Sequence, residues 1–155
     1  SKTYAMTGWR LGYAVWPSSL VEGATRLAIN NHSCVTASAQ FAGIAALSGP
    51  QDAARDMVTA FDARRRAVVP ALNKLPGVTC VEPGGAFYAF PNITRTGISA
   101  KKMETELLED VGVATIAGTS FGAFGEGFLR ISYAISLSAI EEAIERMKHY
   151  LERTQ

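Results

Sequence analysis

The run SKTYAMTGWRLGYAVWP, Ser1 to Pro17, decides how the rest of the chain is read. It places Lys2 on a short loop ahead of Met6-Thr7-Gly8, and Arg10 in an apolar stretch with Gly12 two positions on. The lysine supplies an amine that can condense with an aldehyde. The arginine supplies a planar guanidinium that can hold a phosphate through two parallel hydrogen bonds. A phosphorylated aldehyde would need both.

Trp9 to Trp16 reads as a strand bounded by Gly8 and Pro17. Alternation puts Trp9, Leu11, Tyr13 and Val15 on one face, and Arg10, Gly12, Ala14 and Trp16 on the other. A guanidinium in such a strand is costly unless it meets an anion. A protein carboxylate is one candidate, although the first acidic residue of the chain is Glu22. A phosphate is the other, and Gly12 and Ala14 leave room for it. Lys2 alone would pass for a surface lysine. Its amine becomes a nucleophile only where desolvation or a neighbouring cation favours the neutral form.

Composition bounds the rest. The 155 residues suffice for one ordinary core, with 48% hydrophobic and 19% charged residues. A formal net charge of +1 gives no field for nucleic acid or a membrane surface. Cys34 and Cys80 stand far apart without metal-ligand spacing, so buried reduced thiols are expected, and no metal site. Without a leader pattern or a long apolar run, a soluble cytoplasmic protein is expected. Ser1 is not an initiator methionine, and the chain opens inside a candidate site loop. It is therefore expected to be part of a longer polypeptide.

Helices are expected over 19–30 and 36–47, then a long one from about Asp52 to Leu75, where Pro70 predicts a bend or break. Beyond Pro76-Gly77 the pattern changes to short strands at 78–81 and 86–90, a helix at 100–111 stopped by Gly112, and strands at 113–116 and 128–133. In the helix, Met103, Leu107, Leu108 and Val111 should face inward. A final helix should open on a capping box of Ser138 and Glu141, with Ile140, Ile144, Met147 and Leu151 as its apolar stripe. Strands and helices in this order make a small α/β sandwich.

Arg130 repeats the anomaly of Arg10 in Phe128-Leu129-Arg130-Ile131-Ser132-Tyr133. It points to the side of Phe128 and Ser132, away from Leu129 and Ile131. Either a structural ion pair or capture of a substrate carboxylate would justify it. The preceding loop, Gly118 to Gly127, lacks the Lys-Ser/Thr ending of a P-loop and leads into a strand, so it is read as tight turns near a substrate. His32 and His149 have no partner at catalytic spacing, and Arg64-Arg65-Arg66 reads as a solvated helix face.

Together SKTYAMTGWRLGYAVWP, PGGAFYAFP and GTSFGAFGEGFLRISYA resemble the class I/II aminotransferases of pyridoxal-phosphate (PLP) fold type I, nearest the aspartate aminotransferase-like subgroup. The resemblance runs over essentially the whole chain but only the C-terminal portion of such an enzyme. It implies an α/β fold: the end of the PLP fold type I large domain over 1–50, a long interdomain helix over 51–76, and the C-terminal small α/β sandwich domain over 77–155. It implies pyridoxal 5'-phosphate as cofactor, Lys2 as the catalytic and cofactor-binding Schiff-base lysine, Arg10 as the grip on the cofactor phosphate, and Arg130 as the substrate α-carboxylate site. Ser1 falls in the phosphate-binding neighbourhood.

The implied reaction exchanges an amino group between an L-amino acid of aspartate, alanine or aromatic type and a 2-oxo acid, in a cytoplasmic homodimer serving amino-acid metabolism. The family's aspartate against the pyridine nitrogen, its ring-stacking aromatic residue and its hydroxyl contacts all come from upstream sequence. The chain alone is therefore expected to be inactive, with apolar edges that need partners. A PLP-dependent lyase of the same fold, or an aminotransferase-like sensor domain of a transcription regulator, are the alternatives.

Overall fold

The computed structural model describes residues 1–154. The chain forms two compact units, Ser1–Val58 and Thr59–Gln155, and the division falls inside its longest helix. Unit one holds a 3₁₀ turn at Thr7–Trp9, α1 (Ser18–His32), α2 (Ala37–Ser48) and the start of α3 (Asp52–Leu72). Unit two holds the rest of α3, β1 (Tyr88–Ala89), α4 (Ala100–Val111), β2 (Ile116–Ala117), β3 (Leu129–Ser132) and α5 (Leu137–Thr154).

In unit one the expected strand from Trp9 to Trp16 does not form: residues 11–17 carry no regular secondary structure. A strand exists only when its amides and carbonyls find a neighbour, and no described residue pairs with this stretch. Leu11 is held instead against α2, where Gly43 leaves the space that its side chain fills. Tyr13 and Val15 stay 77% and 91% exposed. Cys34 is exposed, against expectation, whereas Cys80 in unit two is buried and burial pushes its thiol pKa up.

In unit two the three strands form one antiparallel sheet in the order β1-β3-β2. The register sets Tyr88 opposite Ser132 and Ile116 opposite Arg130. Beneath it lies a core that includes Leu72, Ile93, Met103, Leu129, Met147 and Leu151. The helices α4 and α5 contribute the faces that their periodicity requires. Leu108 is the exception, 55% exposed rather than inward.

The strands are shorter than their sequences suggest, and local bonds explain why. The Asn73 side chain takes both backbone groups of Cys80, accepting from its amide at 2.8 Å and donating to its carbonyl at 2.9 Å. That leaves the 78–81 stretch a single bridge, Thr79 to Asn92. The Val113 amide donates to the Leu107 carbonyl at 2.8 Å, so this residue closes α4 instead of opening β2. Gly112 does adopt the left-handed conformation that stops α4, with φ of 69°. In α3, Pro70 causes no break; it sits exposed in the final turn, and the helix ends two residues later. The cap of α5 is Ser136, whose hydroxyl accepts from the Ala139 amide at 3.2 Å, in place of the expected Ser138 box.

The arginine triplet is not uniformly solvated. Arg65 is half-buried and pairs with Asp62 and Glu82, while Arg66 reaches Asp62 at 2.8 Å. The hydrogen bond from Arg65 holds the Asp62 carboxyl below its usual range. Arg64 lies over the Phe61 ring.

Candidate active site

Lys2 stands on a turn built by its neighbours. The Ala5 amide donates to the Lys2 carbonyl at 3.1 Å and the Met6 amide to the Ser1 carbonyl at 3.0 Å. The turn is anchored by Tyr4, whose hydroxyl donates to Gln51 Oε1 at 3.0 Å. Gln51 in turn donates through Nε2 to the carbonyls of Ala46 and Gly49, at 3.0 and 2.8 Å. The end of α2 thus fixes the loop, while the Lys2 side chain remains exposed.

Arg10 follows the 3₁₀ turn in a left-handed conformation, with φ of 52°. For a side chain with a Cβ this is a strained state. Its exposed guanidinium donates to the Thr7 carbonyl at 3.2 Å and, among the described residues, meets no carboxylate. Space beside Gly8 and Gly12 is open. Lys2 and Arg10 therefore belong to one unit, eight positions apart, each exposed and, among the described residues, without a carboxylate partner.

Arg130 belongs to the other unit. It is half-buried on β3, and its guanidinium carbon lies 4.5 Å from the Tyr88 ring centroid and 4.4 Å from that of Phe121. Among the described residues it forms no ion pair. A cation over aromatic faces is attracted by their quadrupoles, but rings offer no lone pairs to match five N–H donors. The donors stay available for a planar anion.

Neither ring carries an assignment from sequence reasoning. Tyr88 was legible in principle: once β1 pairs with β3, the register puts it diagonally beside Arg130 on one face. Phe121 was not, because its placement depends on a glycine-rich turn. Gly118 donates to the Phe128 carbonyl at 2.8 Å, and a side chain at Gly125 would overlap the Gly118 carbonyl. The loop makes tight turns, as read, and those turns carry an aromatic ring to the arginine.

Other candidates stay apart. His149 is exposed between Glu145 and Glu152, at 3.4 and 3.7 Å, and His32 is exposed at the end of α1. A cavity of about 380 Å³ between β3 and α5 is lined by Val113, Ile131, Ile140 and Met147 and contains none of the three candidate residues. No helix among the described residues is long and apolar enough to cross a membrane.

Comparison with known proteins adds an independent line. The family described as aminotransferase class I and II matches residues 1–147. An aspartate aminotransferase of Pyrococcus horikoshii is 45% identical over 154 residues, which cover 98% of this chain and 39% of that protein. One of Geobacillus stearothermophilus is 42% identical, covering 98% and 39%. A solved aromatic aminotransferase from Pyrococcus horikoshii superposes with a TM-score of 0.94 at 41% identity, over 99% of this chain and 41% of that one. The chain thus spans 39% of the length of these curated relatives.

Proposed function

The chain belongs to the class I and II aminotransferases, and from that premise we propose that its intact polypeptide moves an amino group between an L-amino acid and a 2-oxo acid with pyridoxal 5'-phosphate. The observation that carries the proposal is Arg130: a guanidinium held over two rings, its donors unspent on any described carboxylate. The cofactor also suits what unit one presents, an exposed amine at Lys2 and an exposed guanidinium at Arg10 with open space beside its glycines.

Each residue then has a task. Lys2 Nζ would hold the cofactor through its aldehyde, and its amine would carry a proton to and from the substrate α-carbon. Arg10 holds the phosphate with its planar fork, fixing the cofactor in orientation. Arg130 binds the α-carboxylate and so orients the α-carbon. When bound, pyridoxal phosphate supplies the electron sink that stabilises charge released at that carbon.

In this reading residues 1–50 end the large cofactor domain, 51–76 link, and 77–155 form the small domain. The chain alone is proposed to be inactive or nearly so. Its exposed apolar residues, Phe41 at 73% and Val15 at 91% among them, agree with a surface that packs against more protein. A homodimer, a cytoplasmic location and aspartate, alanine or aromatic substrates rest on the resemblance.

The test is chemical. The intact polypeptide is incubated with pyridoxal 5'-phosphate, reduced with borohydride, digested and mapped by mass. The pyridoxyl label is expected on Lys2 and should vanish in Lys2→Ala; a label on a different lysine refutes the assignment. Arg10→Ala should keep the labelling site but weaken cofactor retention by roughly tenfold or more.

A further inference from the structure

We propose that Tyr88 and Phe121 are positioning residues for substrate binding, their rings holding the Arg130 guanidinium in a set attitude before any α-carboxylate arrives. The inference rests on the assignment of Arg130 to carboxylate binding and deepens it.

The two rings reach the arginine from separate elements, whose backbones are placed by bonds in which the Arg130 side chain takes no part. Tyr88 is set by pairing of β1 with β3, opposite Ser132, and its ring lies 4.5 Å from that of Phe87. Phe121 ends a 3₁₀ turn, Gly118–Phe121, whose loop is tied at its far side by Glu126. That carboxylate accepts from the Ala100 amide at 2.9 Å, at the start of α4. Core packing does not account for Phe121, which is 53% exposed. Its ring stands outside the core cluster and beside the cation.

A long arginine side chain otherwise samples many rotamers, and ordering it on binding weakens affinity. Rings that fix it in advance remove part of that loss. They also cover the cation without consuming its N–H donors, which a carboxylate in the same place would do. Because the rings touch the charge and not the variable part of a substrate, the benefit is common to substrates with different side chains.

The experiment uses the intact holoenzyme with Tyr88→Leu, Phe121→Leu and their combination, which keep apolar bulk but remove the aromatic faces. KM for the amino donor should rise about three- to tenfold for each change and further for both. At saturation kcat should move less than about twofold, because equal binding of ground and transition states is what is lost. Tyr88→Phe, which keeps the face, should restore the KM. The matching primary amine without a carboxylate serves as control, and its binding should not change.

If Arg130→Ala raises KM while the double leucine variant leaves it unaltered, the rings do not position the arginine. An equal loss for the carboxylate-free amine has the same meaning. If Arg130→Ala itself leaves KM unchanged, the carboxylate assignment fails, and the role of the rings goes with it.

Discussion

The hydroxyl of Tyr133 donates to the carbonyl oxygen of Ala86 at 3.0 Å, closing a loop of 47 positions. Ala86 is held there with φ of 60°, a left-handed state that a residue with a Cβ seldom adopts. Tyr133 is 1% exposed, and its ring meets Phe61, which in turn contacts Phe87. A buried hydroxyl therefore fixes the turn from which Tyr88 enters the sheet. The strain at Ala86 is sustained by what surrounds it.

Removing that bond should loosen the turn. Tyr133→Phe is expected to lower stability of the intact protein by about 1 kcal/mol, the net worth of one hydrogen bond whose acceptor can turn to water. Ala86→Gly should act in the opposite direction by roughly 0.5–1 kcal/mol, since glycine reaches the same φ without a Cβ penalty. Urea unfolding of both variants checks the pair of signs.

The glycine-rich loop offers a steric test. A methyl group at Gly125 would overlap the Gly118 carbonyl, and one at Gly118 the Gly125 carbonyl. Both contacts are backbone, so neither can swing aside. Gly125→Ala should therefore lower stability by about 2–4 kcal/mol and, by displacing Phe121, raise KM. Gly84→Ala, where no atom lies within 4 Å, is the control and should leave thermal unfolding close to the parent.

Alkaline pH should weaken unit two through Tyr150. Burial, reinforced by the hydrogen bond to Glu106 at 2.5 Å, pushes its phenol above the ordinary value of 10.0. The folded state keeps the proton while the unfolded state gives it up above pH 10. Stability is thus complete below that pH and falls as pH rises beyond it. Tyr133, raised mainly by burial, adds to the same decline. Tyr150→Phe should start from a lower melting temperature but lose less between pH 9 and 11. A decline as steep as the parent's contradicts the assignment.

Much of the fold was legible because local rules and tertiary packing agreed. The helix at 100–111 has a serine cap at Ser99, a glycine stop at Gly112 and buried residues at Ala100, Met103 and Leu107. Reading went astray where a side chain or partner unknown to local pattern took the backbone groups. Asn73 occupies Cys80, Ser136 caps ahead of Ser138, and the Trp9–Trp16 stretch finds no described strand beside it. Alternation reports which face a strand would bury, but not whether a neighbour exists to make it one.

Arg10 and Arg130 could be singled out from sequence because each interrupts an apolar run where a lone charge is costly, and Lys2 through the motif that surrounds it. Spacing along the chain carries that information. What surrounds Arg130 is different in kind: Tyr88 comes from 42 positions upstream and Phe121 from a loop whose path depends on two glycines touching. Residue identity alone fixed the charges and the helical faces, since both are local properties. Only the folded sheet and turns decided which rings meet the guanidinium, because distances between remote residues are set by pairing and packing together.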